Sequence, residues 1–249
     1  MVVTLPNGKR IDLTKGIDIS IPLTDDDSNP RAWYVDLPKF EPVRTDDWIG
    51  VVKEGGNVNF RNIYFNPHGH GTHTECLGHI TETVYSVNKT LQHYFFEAVV
   101  ISVTPKQVPS KDGIDEVITA DQLEILKKYS NLDALIIRTL PNDSFKKSKN
   151  YSATNPPYVS VDCLPLINEL GIKHLLIDLP SVDKELDNGV LAFHHGFWGV
   201  PDNQRFDRTI TEFIYVPDMV MDGEYFLNLQ VAPFENDAAP SRPVLFALI

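Results

Sequence analysis

Residues 98–179 open on Ala98-Val-Val-Ile-Ser-Val103, pass through Asp133-Ala-Leu-Ile-Ile-Arg-Thr139 and close on His174-Leu-Leu-Ile-Asp-Leu179. Each is a short, almost continuous apolar run, the pattern of a strand buried on both faces. Helix signals lie between them. Thr119-Ala-Asp-Gln122 has the form of a capping box and is followed by Leu123, Leu126 and Tyr129 at helical spacing. Ser160 or Asp162 can cap a second helix carrying Leu164, Ile167 and Leu170, with Gly171 at its stop. Strand–helix–strand–helix–strand predicts a partly parallel α/β core.

Outward from this core the chain reads as β structure. Val2–Leu5 and Arg10–Leu13 flank Pro6-Asn7-Gly8-Lys9, where Asn-Gly predicts a tight hairpin with positive φ at both turn residues. Residues 18–47 are short apolar runs broken by four prolines, and Asp25-Asp26-Asp27 lacks the glycine and terminal glutamate of a calcium loop, so it reads as an exposed turn. Thr209–Val216, Tyr225–Val231 and Val244–Ile249 read as further strands. No repeat or linker divides the chain, so residues 1–249 are expected to form a single α/β domain with an extensive β layer.

Composition narrows the function classes. The chain has 249 residues, 42% of them apolar, with 14 glycines and 18 prolines, which excludes collagen, coiled coil and low complexity. A balance of 22 basic against 34 acidic residues gives −12, the wrong sign for tracking phosphate backbones. Neither nucleic acid nor a membrane is expected as a partner, and no apolar stretch reaches membrane-spanning length. Lys146-Lys147-Ser148-Lys149 reads as a solvated loop. Cys76 and Cys163 are too few for a disulfide scaffold, and the first residues lack signal-peptide character. The expected compartment is the cytoplasm.

Chemistry concentrates in Asn66-Pro-His-Gly-His-Gly-Thr-His-Thr-Glu-Cys-Leu-Gly-His79, which holds four of the eight histidines. Neutral imidazole is the commonest metal ligand near pH 7. His73 and Glu75 are two apart, so an extended backbone projects both to one face, an imidazole and a carboxylate suited to zinc or manganese. His79 lies further along, placed to move a proton. Cys76 reads as a small buried hydrophobe rather than a ligand.

This segment resembles the metal-dependent cyclase-like hydrolases, the family of bacterial kynurenine formamidase and isatin hydrolase, whose pattern reads His-x-Gly-Thr-His-x-Asp-x-Pro-x-His. Gly71-Thr72-His73-x-Glu75-x-x-x-His79 matches in register, with Glu for Asp and Leu77 for Pro. The resemblance continues through Asp178-Leu-Pro-Ser-Val-Asp183, Phe193-His194-His195, Ile210-Thr-Glu212-Phe and the opening Ile11-Asp-Leu-Thr. It implies a swivelling β/β/α fold with mixed β-sheets, assembled as a homodimer or larger homo-oligomer. It also implies one or two zinc or manganese ions per chain. His73 and Glu75 would be ligands, and His79 the acid/base. One of His194 and His195, with Glu212, would complete a second metal position or orient water. One departure stands out: residue 69, where the family places its first ligand histidine, is glycine. His68 and His70 flank it as replacement ligands, although on a strand both would point away from the face of His73.

Asp178 and Asp183 close a core strand, where α/β folds place functional groups, and Asp183 can equally cap the following turn. Phe197 and Trp198 can supply an aromatic wall for a planar small-molecule substrate, or simply pack the core. The expected activity is metal-assisted hydrolysis of an amide-like bond in an aryl formamide or cyclic amide. The rival expectation, resting on Gly69, is a metal-poor relative that binds a small molecule without catalysis. Serine or cysteine nucleophilic catalysis has no recognisable motif in the chain.

Overall fold

The computed structural model describes residues 1–111 and 113–249. Nine strands form its main sheet: β1 (Ile17–Asp18), β2 (His73–Glu75), β3 (Phe95–Val103), β4 (Ala134–Thr139), β5 (His174–Ile177), β6 (Thr209–Glu212), β7 (Gly223–Asn228), β8 (Ala238–Pro240) and β9 (Val244–Ala247). Their order is β8-β2-β6-β5-β4-β3-β7-β9-β1. The three apolar runs of residues 98–179 supply β3, β4 and β5, which together with β6 run parallel. The flanking pairs on both sides are antiparallel, so the sheet is mixed and the fold is α/β.

Period-two alternation sorts the strand residues into two cores. Val99, Ile101, Leu135, Ile137, Leu175, Ile177 and Ile210 pack against helices α1 (Leu164–Glu169) and α2 (Ala192–Trp198). Ala98, Val100, Ala134, Ile136 and Leu176 face the other way, towards Ile214, Val216 and Val220.

The expected helix after Thr119 is shorter and tighter than an α-helix. Its capping box forms, but one α turn, Ala120–Leu123, passes directly into a 3₁₀ segment, Glu124–Lys128. The apolar residues recur at strict three-residue spacing, Leu123, Leu126 and Tyr129, which three residues per turn stack in line. The N-terminal hairpin forms between Val2–Thr4 and Arg10–Asp12. Only Gly8 has positive φ, however, because Gly8 N donates to Leu5 O and Leu5 N to Lys9 O, a three-residue loop that Pro6 suits.

The basic run is not a solvated loop. Lys146 Nζ donates to Asp178 Oδ2 at 2.8 Å and to the Thr139 carbonyl at 2.6 Å, with its side chain only 13% exposed. Lys147 and Lys149 lie over the rings of Tyr215 and Tyr151. Asp178 is buried at the end of β5, and a buried carboxylate requires a cation and donors, which Lys146 and Thr139 supply. Among the described residues no helix is long and apolar enough to cross a membrane.

Candidate metal centre

The sheet builds the first half of the site. β2 runs antiparallel to β6 with His73 opposite Glu212 and Thr74 opposite Thr211. The Thr74 and Thr211 hydroxyls meet at 2.8 Å on one face. Alternation therefore puts His73, Glu75 and Glu212 on the other. His73 Nε2 lies 3.5 Å from Glu212 Oε2 and 3.9 Å from Glu75 Oε2, and all three residues are buried. His73 Nδ1 is engaged by the Gly71 carbonyl at 2.9 Å, which turns Nε2 towards the carboxylates.

Helix α2 brings the next candidate ligand. Asp183 accepts from the backbone N–H groups of Phe193 and His194 at 2.8 and 3.0 Å, satisfying donors the helix start leaves unpaired. The same carboxylate takes His194 Nδ1 at 2.6 Å, so Nε2 points inward, 3.0 Å from Glu75 Oε1 and 3.9 Å from Glu212 Oε1. Asp183 therefore both caps the helix and orients its histidine. Asp183→Asn is expected to weaken the binding of a divalent metal ion by about 10–100-fold, the usual cost of losing such a partner. Equal affinity by competition with a metal chelator would contradict that role.

The loop before β2 supplies the rest. His68 Nδ1 lies 3.0 Å from Glu75 Oε2 and its Nε2 2.8 Å from Asp237 Oδ2. Its ring stacks on His79 at 4.2 Å and meets His73 edge-on at 5.2 Å. His79 Nδ1 in turn is 3.3 Å from Asp237, and its Nε2 3.9 Å from Glu75 Oε2. His70 turns away: Asn66 N donates to its Nδ1, and its Nε2 contacts the Asp36 carbonyl. A side chain at residue 69 would not enter the cluster either, since a Cβ there would meet Val35 Cγ2 at 2.8 Å. Of the two histidines flanking Gly69, His68 is the one the loop brings in.

The cluster opens into a cavity of about 270 Å³ lined by Trp33, His68, His79, Lys184, Leu191 and His194, among others. A larger cavity of about 370 Å³, lined by Asp18, Ile21, Phe65 and His70 among others, includes none of His68, His73, Glu75, His79, His194 and Glu212. Of the adjacent pair, His194 enters the site, and His195 Nδ1 instead contacts the Val200 carbonyl. Phe197 and Trp198 do not line the cavity. Both are fully buried in the helix-side core, and Trp198 Nε1 donates to the Arg208 carbonyl. Cys76 is buried against Val87 and Ala239. The sequence reading missed Asp237 and Trp33. Asp237 sits just before β8, placed beside Glu75 by the pairing of Ala238 with Glu75, which no local pattern announces.

The Putative cyclase family matches residues 11–184. The chain belongs to the cyclase family. It is similar to the kynurenine formamidase of Bacillus thuringiensis (strain Al Hakam), with 29% identity over 231 residues covering 92% of this chain and 96% of the relative. The same fold occurs in a predicted metal-dependent hydrolase from Bacillus stearothermophilus, at TM-score 0.64 and 19% identity over 93% of this chain and 98% of that one. It also occurs in isatin hydrolase A from Labrenzia aggregata, at TM-score 0.66 and 14% identity over 94% and 93% of the two chains.

In this cyclase-family chain His73 Nε2 is buried without a hydrogen-bond partner, and Glu75 Oε2 is buried with one close contact, the ion pair to His68 Nδ1 at 3.0 Å. Native interiors rarely leave such atoms unsatisfied, and a bound ion is one standard reason. Two ligand groups converge, His73–Glu75–Glu212 and His68–Glu75–His79, with Glu75 common to both.

Charge in the metal-free cluster is set by proximity. Burial opposes protonation of His68, but the Asp237 carboxylate on its Nε2 and the Glu75 carboxylate beside its Nδ1 outweigh it and hold its pKa at about 10. Burial likewise opposes charge on His194, and Asp183 and Glu75 raise it to about 10. Burial would raise Glu75, yet His79 and His194 hold it well below the usual carboxylate range. His174, at the opposite end of the sheet, is pushed down by burial to about 4. A histidine raised in the fold contributes stability that is complete below its unfolded pKa and lost as pH climbs through the folded value. For His68 and His194 that window runs from about 6.5 to about 10. His174 acts oppositely, destabilising as pH falls from 6.5 towards about 4. The Tm of chelated protein is expected to peak near neutrality and fall on both sides; a flat profile from pH 7 to 10 would contradict the assignment of His68 and His194.

Proposed function

We infer that this chain is a metal-dependent hydrolase acting on a carbon–nitrogen bond other than a peptide bond, in a small aryl formamide or cyclic amide. The observation that carries this is the buried His73 Nε2, which has no hydrogen-bond partner, beside Glu75 and Glu212 in a cluster of four imidazoles and two carboxylates that faces a cavity. Kynurenine formamidase and isatin hydrolase, to which the chain is similar, support the substrate class.

His73, Glu75 and Glu212 would hold one ion, and His68, Glu75 and His79 form a second converging group around the same Glu75 carboxylate, with His194 Nε2 3.0 Å from its other oxygen, so one or two ions would fit. Mixed nitrogen and oxygen donors suit zinc or manganese. When bound, such an ion acidifies water and polarises a carbonyl. The chain's own residues supply the proton path. Asp237 engages His79 Nδ1, which leaves Nε2 to take a proton and return it to the leaving nitrogen. Asp183 fixes the tautomer of His194. Because His68 and His194 carry protons in the metal-free cluster, ion uptake displaces protons and weakens as pH falls.

Metal content per chain, measured by plasma mass spectrometry on protein purified without a His-tag or added metal, tests the reading. One or two equivalents of zinc or manganese are expected, together with formanilide turnover. Chelation is expected to lower Tm, since an ion at 100 times its Kd stabilises the native state by about 2.7 kcal/mol. No metal after incubation with both ions, and no Tm change on chelation, would leave a chain that binds a small molecule without catalysis. Assembly as a homodimer or larger oligomer, implied by the family resemblance, is open to sedimentation.

A further inference from the structure

A further cavity of about 270 Å³ lies at the other end of the sheet, lined by Leu91, Phe96, Asp133, Lys173, His174 and Asp207 among others. His174 opens β5, whose next residues are Leu175, Leu176 and Ile177, and it is only 5% exposed. An imidazole buried there costs stability as pH falls, and the metal centre does not use it. A residue that breaks the local pattern without an evident gain marks a functional position. Its Nδ1 is engaged by Thr209 Oγ1 at 2.8 Å, and its ring packs on Phe96 at 4.1 Å between centroids. Nε2 has no hydrogen-bond partner among the described residues and belongs to the cavity wall. Burial keeps the ring uncharged at neutral pH. With Nδ1–H given to Thr209, the Nε2 lone pair is a free acceptor.

A carboxylate stands beside this acceptor. The backbone N–H groups of Lys173 and His174 both donate to the Asp133 carbonyl, at 2.9 and 3.0 Å, which fixes Asp133 against the start of β5. Glu97 N donates to Asp133 Oδ2 at 3.1 Å, and Oδ1 has no partner among the described residues. Lys173 does not neutralise it, because its Nζ is paired with Asp207 Oδ2 at 2.9 Å. Two carboxylates against one lysine leave the wall with a negative charge in excess, on a chain whose own balance of −12 draws cations. The other titratable residue of the wall, His93, is exposed. We propose that this cavity binds a small primary alkylammonium ion, whose N–H groups donate to Asp133 Oδ1 and His174 Nε2 while its apolar body lies against Leu91 and Phe96. Such an ion brings the donors that both acceptors lack and the charge that Asp133 lacks. The site is separate from the metal centre and does not depend on the reaction assigned there.

Calorimetry at neutral pH and physiological salt, which screens loose surface attraction, tests the site with isopentylamine and with isopentanol as its uncharged counterpart. The amine is expected to bind, and the alcohol to bind roughly tenfold more weakly or less. Asp133→Asn keeps an acceptor for Glu97 N and removes the charge. It is expected to weaken the amine roughly tenfold, the worth of one charge-assisted hydrogen bond. His174→Leu, which suits the apolar strand, is expected to weaken it on the same scale, and cooperative thermal unfolding of both variants shows that they are folded. Glu75→Gln, which strips the metal centre, is expected to bind isopentylamine as the parent does. Equal binding of amine and alcohol, undiminished affinity in Asp133→Asn or His174→Leu, loss of binding in Glu75→Gln, or no binding by the unaltered chain would each overturn the proposal.

Discussion

Glu75→Gln is expected to empty the site of metal and lower kcat/KM by ~10³ or more, since the ion's contribution of several kcal/mol to the transition state goes with it. The substitution preserves volume and removes one negative charge, so packing around β2 is not the variable. Glu75 is the one residue common to both ligand groups. Its Oε1 faces His194 Nε2 at 3.0 Å and its Oε2 faces His68 Nδ1 at 3.0 Å, with His73 and His79 each 3.9 Å away. Without the carboxylate, His68 and His194 lose a main reason to hold their protons. The metal-free variant should therefore show a smaller decline in Tm between pH 7 and 10 than the unaltered chain. Glu212→Gln serves as the comparison, because Glu212 belongs to the His73 group alone and lies farther from His194, at 3.9 Å. Retention of one or two equivalents of metal in Glu75→Gln, with turnover within tenfold of the parent, would place the ion elsewhere.

The parallel centre of the fold was legible because buried strands and capped helices carry local signals: apolar runs at 98–103, 133–139 and 174–179, and a capping box at Thr119. The pair His73 and Glu75 was legible for the same reason, since period two is a local property of a strand. What the sequence hides is long-range. Asp237 reaches the cluster through the pairing of β8 with β2, some 160 residues apart in the chain. Lys146 reads as a surface charge until Asp178, at the end of a different strand, is placed beside it. The aromatic wall was sought next to His195 in sequence, where helical geometry turns Phe197 and Trp198 into the core. The aromatic residue that does line the cavity, Trp33, comes from a proline-rich stretch with no periodicity. The Asp-to-Glu change and the glycine at 69 also become intelligible together. The longer carboxylate of Glu75 reaches His68, which stands one residue before the position the family pattern assigns.

Removing the His79 imidazole separates ligation from proton transfer. His79→Ala is expected to lower kcat by ~10²–10⁴, the usual worth of a positioned acid/base, while metal content stays at the parent level. The geometry supports this division. His79 is 30% exposed at the cavity, whereas His73, Glu75 and Glu212 are buried. Its Nδ1 is committed to Asp237 Oδ2, the arrangement that presents Nε2 as the working nitrogen. The cluster keeps His68, His73 and His194 as candidate nitrogen ligands when His79 is gone, so an ion would still find three imidazoles and two carboxylates. Added imidazole should restore part of the rate, because the vacated volume opens onto the cavity and a free base can enter it. Asp237→Asn should lower kcat in the same direction while leaving the His79 ring in place. Loss of metal in His79→Ala, in step with its activity and without rescue by imidazole, would show instead that the imidazole belongs to the His68–Glu75–His79 group as a ligand, and that the proton is carried by another residue at the cavity.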